Sequence, residues 1–113
     1  MRQLKHDKVE ETLHREAAKF ILENSGISSL ITVTRVVLNT SGKDAIIFFT
    51  TIPESEEDTA KKFLDRKAPE FKEHLKRKAR IGIIPHLRFQ IDYGERNRQN
   101  IEEISKRAGS FEA

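Results

Sequence analysis

The sequence has no cysteine and no tryptophan, and only one tyrosine, three prolines and five glycines in 113 residues. Without cysteine there is no disulfide framework, no thiolate-ligated zinc or iron-sulfur centre and no cysteine nucleophile, so the fold rests on packing alone. Long apolar runs are missing too. The longest, Ala45 to Phe49, falls far short of the ~20 residues that span a bilayer, and no apolar stretch follows the basic N-terminus to make a signal peptide. A soluble cytoplasmic protein with no membrane partner is therefore expected. No two glycines are three apart, which excludes a Gly-x-x-Gly loop. No phosphate-cradling loop, framed carboxylate pair or Ser-His-Asp set is recognisable either, so neither an enzyme nor a cofactor site is expected.

What is present is charge, 35% of residues, beside 36% hydrophobic residues that include seven Phe. That balance suits one compact domain with a modest core. The formal net charge of +3 is unevenly spread. Residues 1 to 60 carry 7 Lys/Arg against 10 Asp/Glu, and residues 89 to 113 carry 4 against 5. Between them, Lys61 to Arg88 holds 10 Lys/Arg against 3 acids, with His74 and His86 in addition. Such segregation favours a polyanionic partner, the alternative being a helix face that is simply solvated.

Val9, Leu13, Ala17, Phe20 and Ile21 keep the spacing of one helical face and predict a helix over roughly His6 to Asn24. Leu30 to Asn39 and Asp44 to Thr51 are rich in β-branched and aromatic residues and are joined by Thr40, Ser41, Gly42 and Lys43, which predicts a hairpin. Ser55 with acids at 56, 57 and 58 then opens a second helical stretch with Ala60, Phe63, Leu64, Ala68, Phe71, Leu75 and Ala79 on its apolar stripe. Pro69 interrupts that stretch, so two helices meeting at a kink at Ala68, Pro69 and Glu70 are expected. Leu87, Phe89 and Ile91 alternate with Arg88, Gln90 and Asp92, the period of a half-buried third strand. Ile101 and Ile104 suit a short last helix. Residues 105–113 lack apolar periodicity and are expected to form a flexible C-terminal tail after a single domain over 1–104.

Helix, strand, strand, helix, kink, helix, strand describes an α+β domain, a three-stranded sheet with helices packed on one face. It is also the type II KH topology. Over about Lys8 to Ile104 the chain resembles the ribosome-binding factor A family, through the opening helix, the strands TVTRVVLN and AIIFFTT, and RIGIIPHLRFQID at Arg80 to Asp92. The family's apolar-Pro-x-Leu-x-Phe strand is matched by Ile84, Pro85, Leu87 and Phe89. The family marks its kink with Ala-x-Gly, where this chain has Ala68, Pro69 and Glu70. Its usual Asp-Pro-Arg element is also absent from the ENSGISS segment. The resemblance implies a non-catalytic factor that binds the immature 30S ribosomal subunit and 16S rRNA and assists late assembly and 5′-end processing, monomeric when free. The alternatives are a KH-shaped protein-protein adaptor and a general single-stranded RNA binder.

Lys72, Lys76 and Arg80 lie four apart and share a helical row, and Arg77 and Lys78 extend the charge around the helix. With Lys61 and Lys62 at its start, this set is the expected RNA-binding surface, strong in salt dependence and weak in sequence preference. His6, Glu10 and His14 look like a metal set, but residues eight apart on a helix are about 12 Å apart along the axis, too far for both imidazoles to reach one ion. Tyr93 is the best placed aromatic for stacking on an unpaired base. Phe48 and Phe49 point to opposite sheet faces, which leaves room for one to be partly exposed, but a buried role is the expectation for each.

Overall fold

The computed structural model of the chain describes residues 2–24, 30–79 and 81–98. A first helix, α1 (Arg2–Asn24), leads to strands β1 (Leu30–Leu38) and β2 (Asp44–Ile52), helix α2 (Glu57–Lys78) and strand β3 (His86–Ile91). Residues 93–98 make a further helical segment. The ENSGISS segment beyond Asn24, the expected helix at Ile101 and Ile104, and the tail 105–113 lie outside the described residues.

α1 buries Leu13, Ala17, Phe20 and Ile21, the stripe that the sequence spacing predicts, and it begins at Arg2 rather than His6. In the hairpin turn Asn39 Oδ1 accepts the backbone N–H of Lys43 and of Asp44, each at 3.0 Å, while Gly42 takes a φ of +76° that a side chain would disfavour. β2 is the central strand, antiparallel to β1 and parallel to β3. A parallel neighbour needs a crossover, and α2 supplies it.

The core lies between the sheet and the two long helices. From β2 it takes Ala45, Ile47 and Phe49, all fully buried, and from β3 it takes Phe89 with half-buried Leu87 and Ile91. Phe71 of α2 ties the layers together, its ring 5.1 Å from Phe20 of α1 and 6.2 Å from Phe89 of β3 between centroids. On β1 the inward residues are Val33, Val36 and Leu38, with Ile31 half-buried. The step from Val33 to Val36 breaks strict alternation. A β-bulge between Val33 and Arg35 absorbs the extra residue, Thr34, and keeps both ends of β1 apolar toward the core.

α2 corrects two expectations. Ser55 does not open it, because Glu54–Glu56 form a single 3-10 turn and the α-helix starts at Glu57. Nor does Pro69 divide it: Ala68, Pro69 and Glu70 lie inside one continuous helix of 22 residues. Proline removes one backbone hydrogen bond and crowds the carbonyl four residues back, a cost of about 3 kcal/mol. Here the ring faces solvent, while Phe63 and Leu64 before it and Phe71 and Leu75 after it share one buried stripe. Four buried side chains straddling the proline outweigh its local penalty.

β3 runs into Asp92, a buried aspartate whose partners come from three directions. Its N–H donates to the Phe49 carbonyl at 2.8 Å, continuing the β2–β3 ladder. Its Oδ1 accepts the Glu95 N–H at 3.0 Å, capping the start of helix 93–98. Its Oδ2 accepts from Thr34 Oγ1 at 2.6 Å and from Arg35 Nε at 3.3 Å, both at the bulge of β1. Burial pushes this carboxyl up, but the Thr34 hydroxyl, the Glu95 amide and the Arg35 charge together outweigh it, and the net pKa lies below the ordinary aspartate value.

Three outcomes are expected. Phe89→Ala should cost about 3 to 5 kcal/mol by opening a cavity beside Phe71, whereas Arg88→Ala on the outer face should stay within about 0.5 kcal/mol; similar urea midpoints would put the strand's alternation on the wrong face. Pro69→Ala should raise stability by about 1 to 2 kcal/mol, since the restored hydrogen bond exceeds the lost stiffness of the unfolded chain, and an unchanged or lower midpoint would show that the proline costs nothing here. A carboxyl whose pKa falls on folding stabilises above its unfolded value, about 3.9 for aspartate, and loses that contribution as the pH drops through its folded value. Wild-type stability measured from pH 7 downward should therefore fall more steeply below about pH 4 than that of Asp92→Asn, and parallel acid limbs would assign the dependence to other carboxylates.

Candidate nucleic-acid interface

α2 is acidic at its start, with Glu57 and Asp58 in the first turn, and basic at its end, with Lys76, Arg77 and Lys78 in the last. This order complements the helix macrodipole and so stabilises α2 before any partner is considered. At 1.5 Å per residue the two ends are about 33 Å apart. The acidic end is tied internally. Arg96 Nη1 lies 2.9 Å from Glu57 Oε1 and 3.4 Å from Glu54 Oε1, and its guanidinium carbon sits 4.8 Å from the centroid of the Tyr93 ring. Tyr93, the aromatic expected to stack on a base, is thus already engaged by a cation, although it is 52% exposed.

The basic residues are only partly gathered. Lys61 pairs with Asp65 at 2.6 Å and Lys76 with Glu73 at 3.3 Å, both within the helix surface. Lys62, Lys72, Arg77 and Lys78 are exposed and have no ion-pair partner among the described residues. The side chain of Arg80 lies outside those residues. Lys72 stands at a groove of about 330 Å³ whose apolar walls are Ala68 and Pro69 of α2 and Pro85 and Leu87 at β3. Arg77 and Lys78 turn to the other flank and line a groove of about 410 Å³ against Glu16 and Lys19 of α1. Arg77 and Lys78 thus carry the charge around the helix from the row that holds Lys72, onto the flank facing α1. Exposed pairs such as Lys61–Asp65 contribute little to stability, so their cations can be redirected to phosphate at small cost.

Between α1 and α2 lies a pair that the sequence does not announce. His74 Nε2 is 3.0 Å from Glu16 Oε1, both side chains are largely buried, and the Phe20 and Phe71 rings lie 5.5 Å and 6.1 Å from the imidazole. Burial pushes the Glu16 carboxyl up, yet its hydrogen bond to His74 and the charges of Lys19, His74 and Arg15 prevail and leave its pKa below the usual glutamate value. This pair bridges α1 and α2 beside the groove that Arg77 and Lys78 line. Of the apparent metal set, Glu10 has another role: its Oε2 accepts the Leu38 N–H at 2.8 Å, tying α1 to the end of β1. Among the described residues no group of three or more His, Asp or Glu is placed to hold a metal ion. No described helix is long and apolar enough to cross a membrane.

A three-stranded sheet with antiparallel and parallel pairing, covered on one face by helices, defines an α+β domain of KH-like form. The family profile described as ribosome-binding factor A matches residues 5–105, and the chain belongs to that family, whose members are ribosome-associated maturation factors. Among solved structures, the crystal structure of ribosome-binding factor A from Thermus thermophilus aligns with a TM-score of 0.69 at 25% identity, over 76% of this chain and 93% of that one. No curated protein matches the sequence. Family membership carries ribosome biogenesis and RNA binding with it, and the sequence has no Gly-x-x-Gly loop.

Proposed function

We propose that this protein is a non-catalytic maturation factor that binds the immature 30S subunit in the cytoplasm, contacts 16S rRNA through the basic end of α2, and assists late assembly and 5′-end processing. Residues 1–104 act as one domain, monomeric when free. The observation that carries this reading is the concentration on one helix of exposed cations without an ion-pair partner among the described residues, Lys62, Lys72, Arg77 and Lys78, in a chain of the ribosome-binding factor A family. Lys61, Lys76 and Arg80 complete the proposed surface. About five phosphate contacts make binding fall steeply with salt and leave it nearly indifferent to sequence.

Replacing Lys72, Lys76 and Arg77 together by Glu should abolish co-sedimentation with precursor 30S subunits at moderate salt. The urea midpoint should shift by no more than about 1 kcal/mol in equivalent stability, because solvated side chains contribute little to the fold. A triple variant that still sediments with subunits would remove this face from the interaction. Retained binding to an acidic protein, with no binding to subunits by either form, would favour the adaptor.

A further inference from the structure

The helices cover one face of the sheet, and the other face carries a set of side chains that the interface on α2 does not use. The strand register aligns Arg35, Phe48 and Gln90 in one row across β1, β2 and β3, and Val37, Ile46 and Arg88 in the next. Arg35, Val37 and Arg88 are exposed, while Ile46, Phe48 and Gln90 are half-buried. Phe49 is fully buried in the core, so Phe48 is the member of the aromatic pair left on the outer face.

Arg35 is held in an unusual way for a surface residue. Its guanidinium carbon rests 4.2 Å from the centroid of the Phe48 ring, and its Nε lies 3.3 Å from the buried Asp92 carboxylate. The bulge at Thr34 sets this up, since Thr34 donates to the same Asp92 oxygen. Backed by a ring and tethered at one edge, the side chain is still 58% exposed and offers its outer surface to solvent. An ordered guanidinium loses less entropy on binding than a free arginine, and its plane matches a nucleobase as well as it matches an anion. Because Asp92 already offsets part of the Arg35 charge, stacking gains over phosphate contact at this position. Arg88 has no ion-pair partner among the described residues and stands two strand spacings away, about 10 Å across the sheet.

We propose that this open sheet face binds a short unpaired RNA segment, with one base stacked on the Arg35 guanidinium that Phe48 and Asp92 hold in place, and with Arg88 taking a neighbouring phosphate. The inference rests on the RNA-binding reading and adds to it a second, base-contacting surface on the far side of the sheet from α2. Charge selects RNA over a protein partner here: in these two rows two arginines and a glutamine accompany Val37, half-buried Ile46 and a Phe48 ring covered by Arg35, and the one strongly exposed aliphatic side chain of β2, Ile52, stands two rows beyond Phe48, too scattered for a protein-docking core.

The test uses the full chain and two labelled probes, a short unstructured oligoribonucleotide of mixed A and U and an abasic ribose-phosphate chain of the same length. Fluorescence anisotropy at one moderate salt concentration reads both. The wild type should bind the base-bearing probe at least about tenfold more tightly than the abasic one, the scale of one stacked base. Arg35→Lys, which keeps the charge, should remove most of that preference while leaving abasic binding unchanged, and Phe48→Leu should act in the same direction; urea midpoints check that both variants fold. Equal affinity of the wild type for the two probes, binding to neither, or a preference that survives in Arg35→Lys would each overturn the proposal. So would an Arg35→Lys variant that loses 30S subunits but keeps wild-type affinity for both probes, since the face would then meet ribosomal protein. The α2 triple variant separates the two readings: if it loses the abasic probe and subunits while the wild type shows no base preference, the RNA-binding reading stands and the stacking site alone fails.

Discussion

A buried aspartate that makes five hydrogen bonds to three separate stretches of chain ties this fold together. Asp92 joins the end of β3 to β2, to the bulge of β1 and to the first turn of the helix that follows. Removing a charge from water is costly, and the cost is offset only because every donor to the carboxylate is already in position. The bulge it pins lets β1 present apolar residues to the core on both sides of Thr34. With the bulge relaxed, one half of β1 would turn its side chains the wrong way, so a polar contact on the outer face governs the apolar packing of the inner one.

The basic end of α2 has two explanations that do not compete. Cations in a last helical turn meet the negative end of the macrodipole, which is reason enough for Lys76, Arg77 and Lys78 on folding grounds. The same placement leaves them exposed and largely without carboxylate partners, which is what contact with a phosphate backbone requires. Local stability and the proposed function thus favour the same residues. Arg77 and Lys78, three and four residues after His74, share its helical face toward Glu16 and Lys19 of α1.

Much of this was legible in the linear sequence, and the failures have physical causes. The periods of 3.6 in α1 and α2 and of two in β3 mark a buried face directly, so Leu13, Phe71 and Phe89 could be read as core. Pro69 could not be read correctly, because a local rule prices the lost hydrogen bond but not the four buried side chains that straddle it. The bulge at Thr34 was hidden, since the spacing of Val33 and Val36 fits no single period and only pairing with β2 resolves it. Glu16 and His74 lie 58 residues apart, and each by itself reads as an ordinary surface charge. Helical spacing gives the row of Lys72 and Lys76 and the turn of Arg77 and Lys78 to another flank, but what each flank faces, β3 beside Lys72 and α1 beside Arg77 and Lys78, depends on packing that no helical spacing reveals.

With acids in the first turn of a helix about 33 Å long and cations in the last, the side-chain charges at the two ends of α2 make a dipole along that helix. In the field of a polyanion such a body experiences a torque before contact, and it swings its positive end forward while the acidic end is turned away. The rotational search that normally slows association is shortened, because most approaches are corrected in flight. Salt weakens this alignment along with the contact itself: at 0.1 M the field decays over about 10 Å, less than the length of the dipole, so arrival becomes undirected before binding is lost.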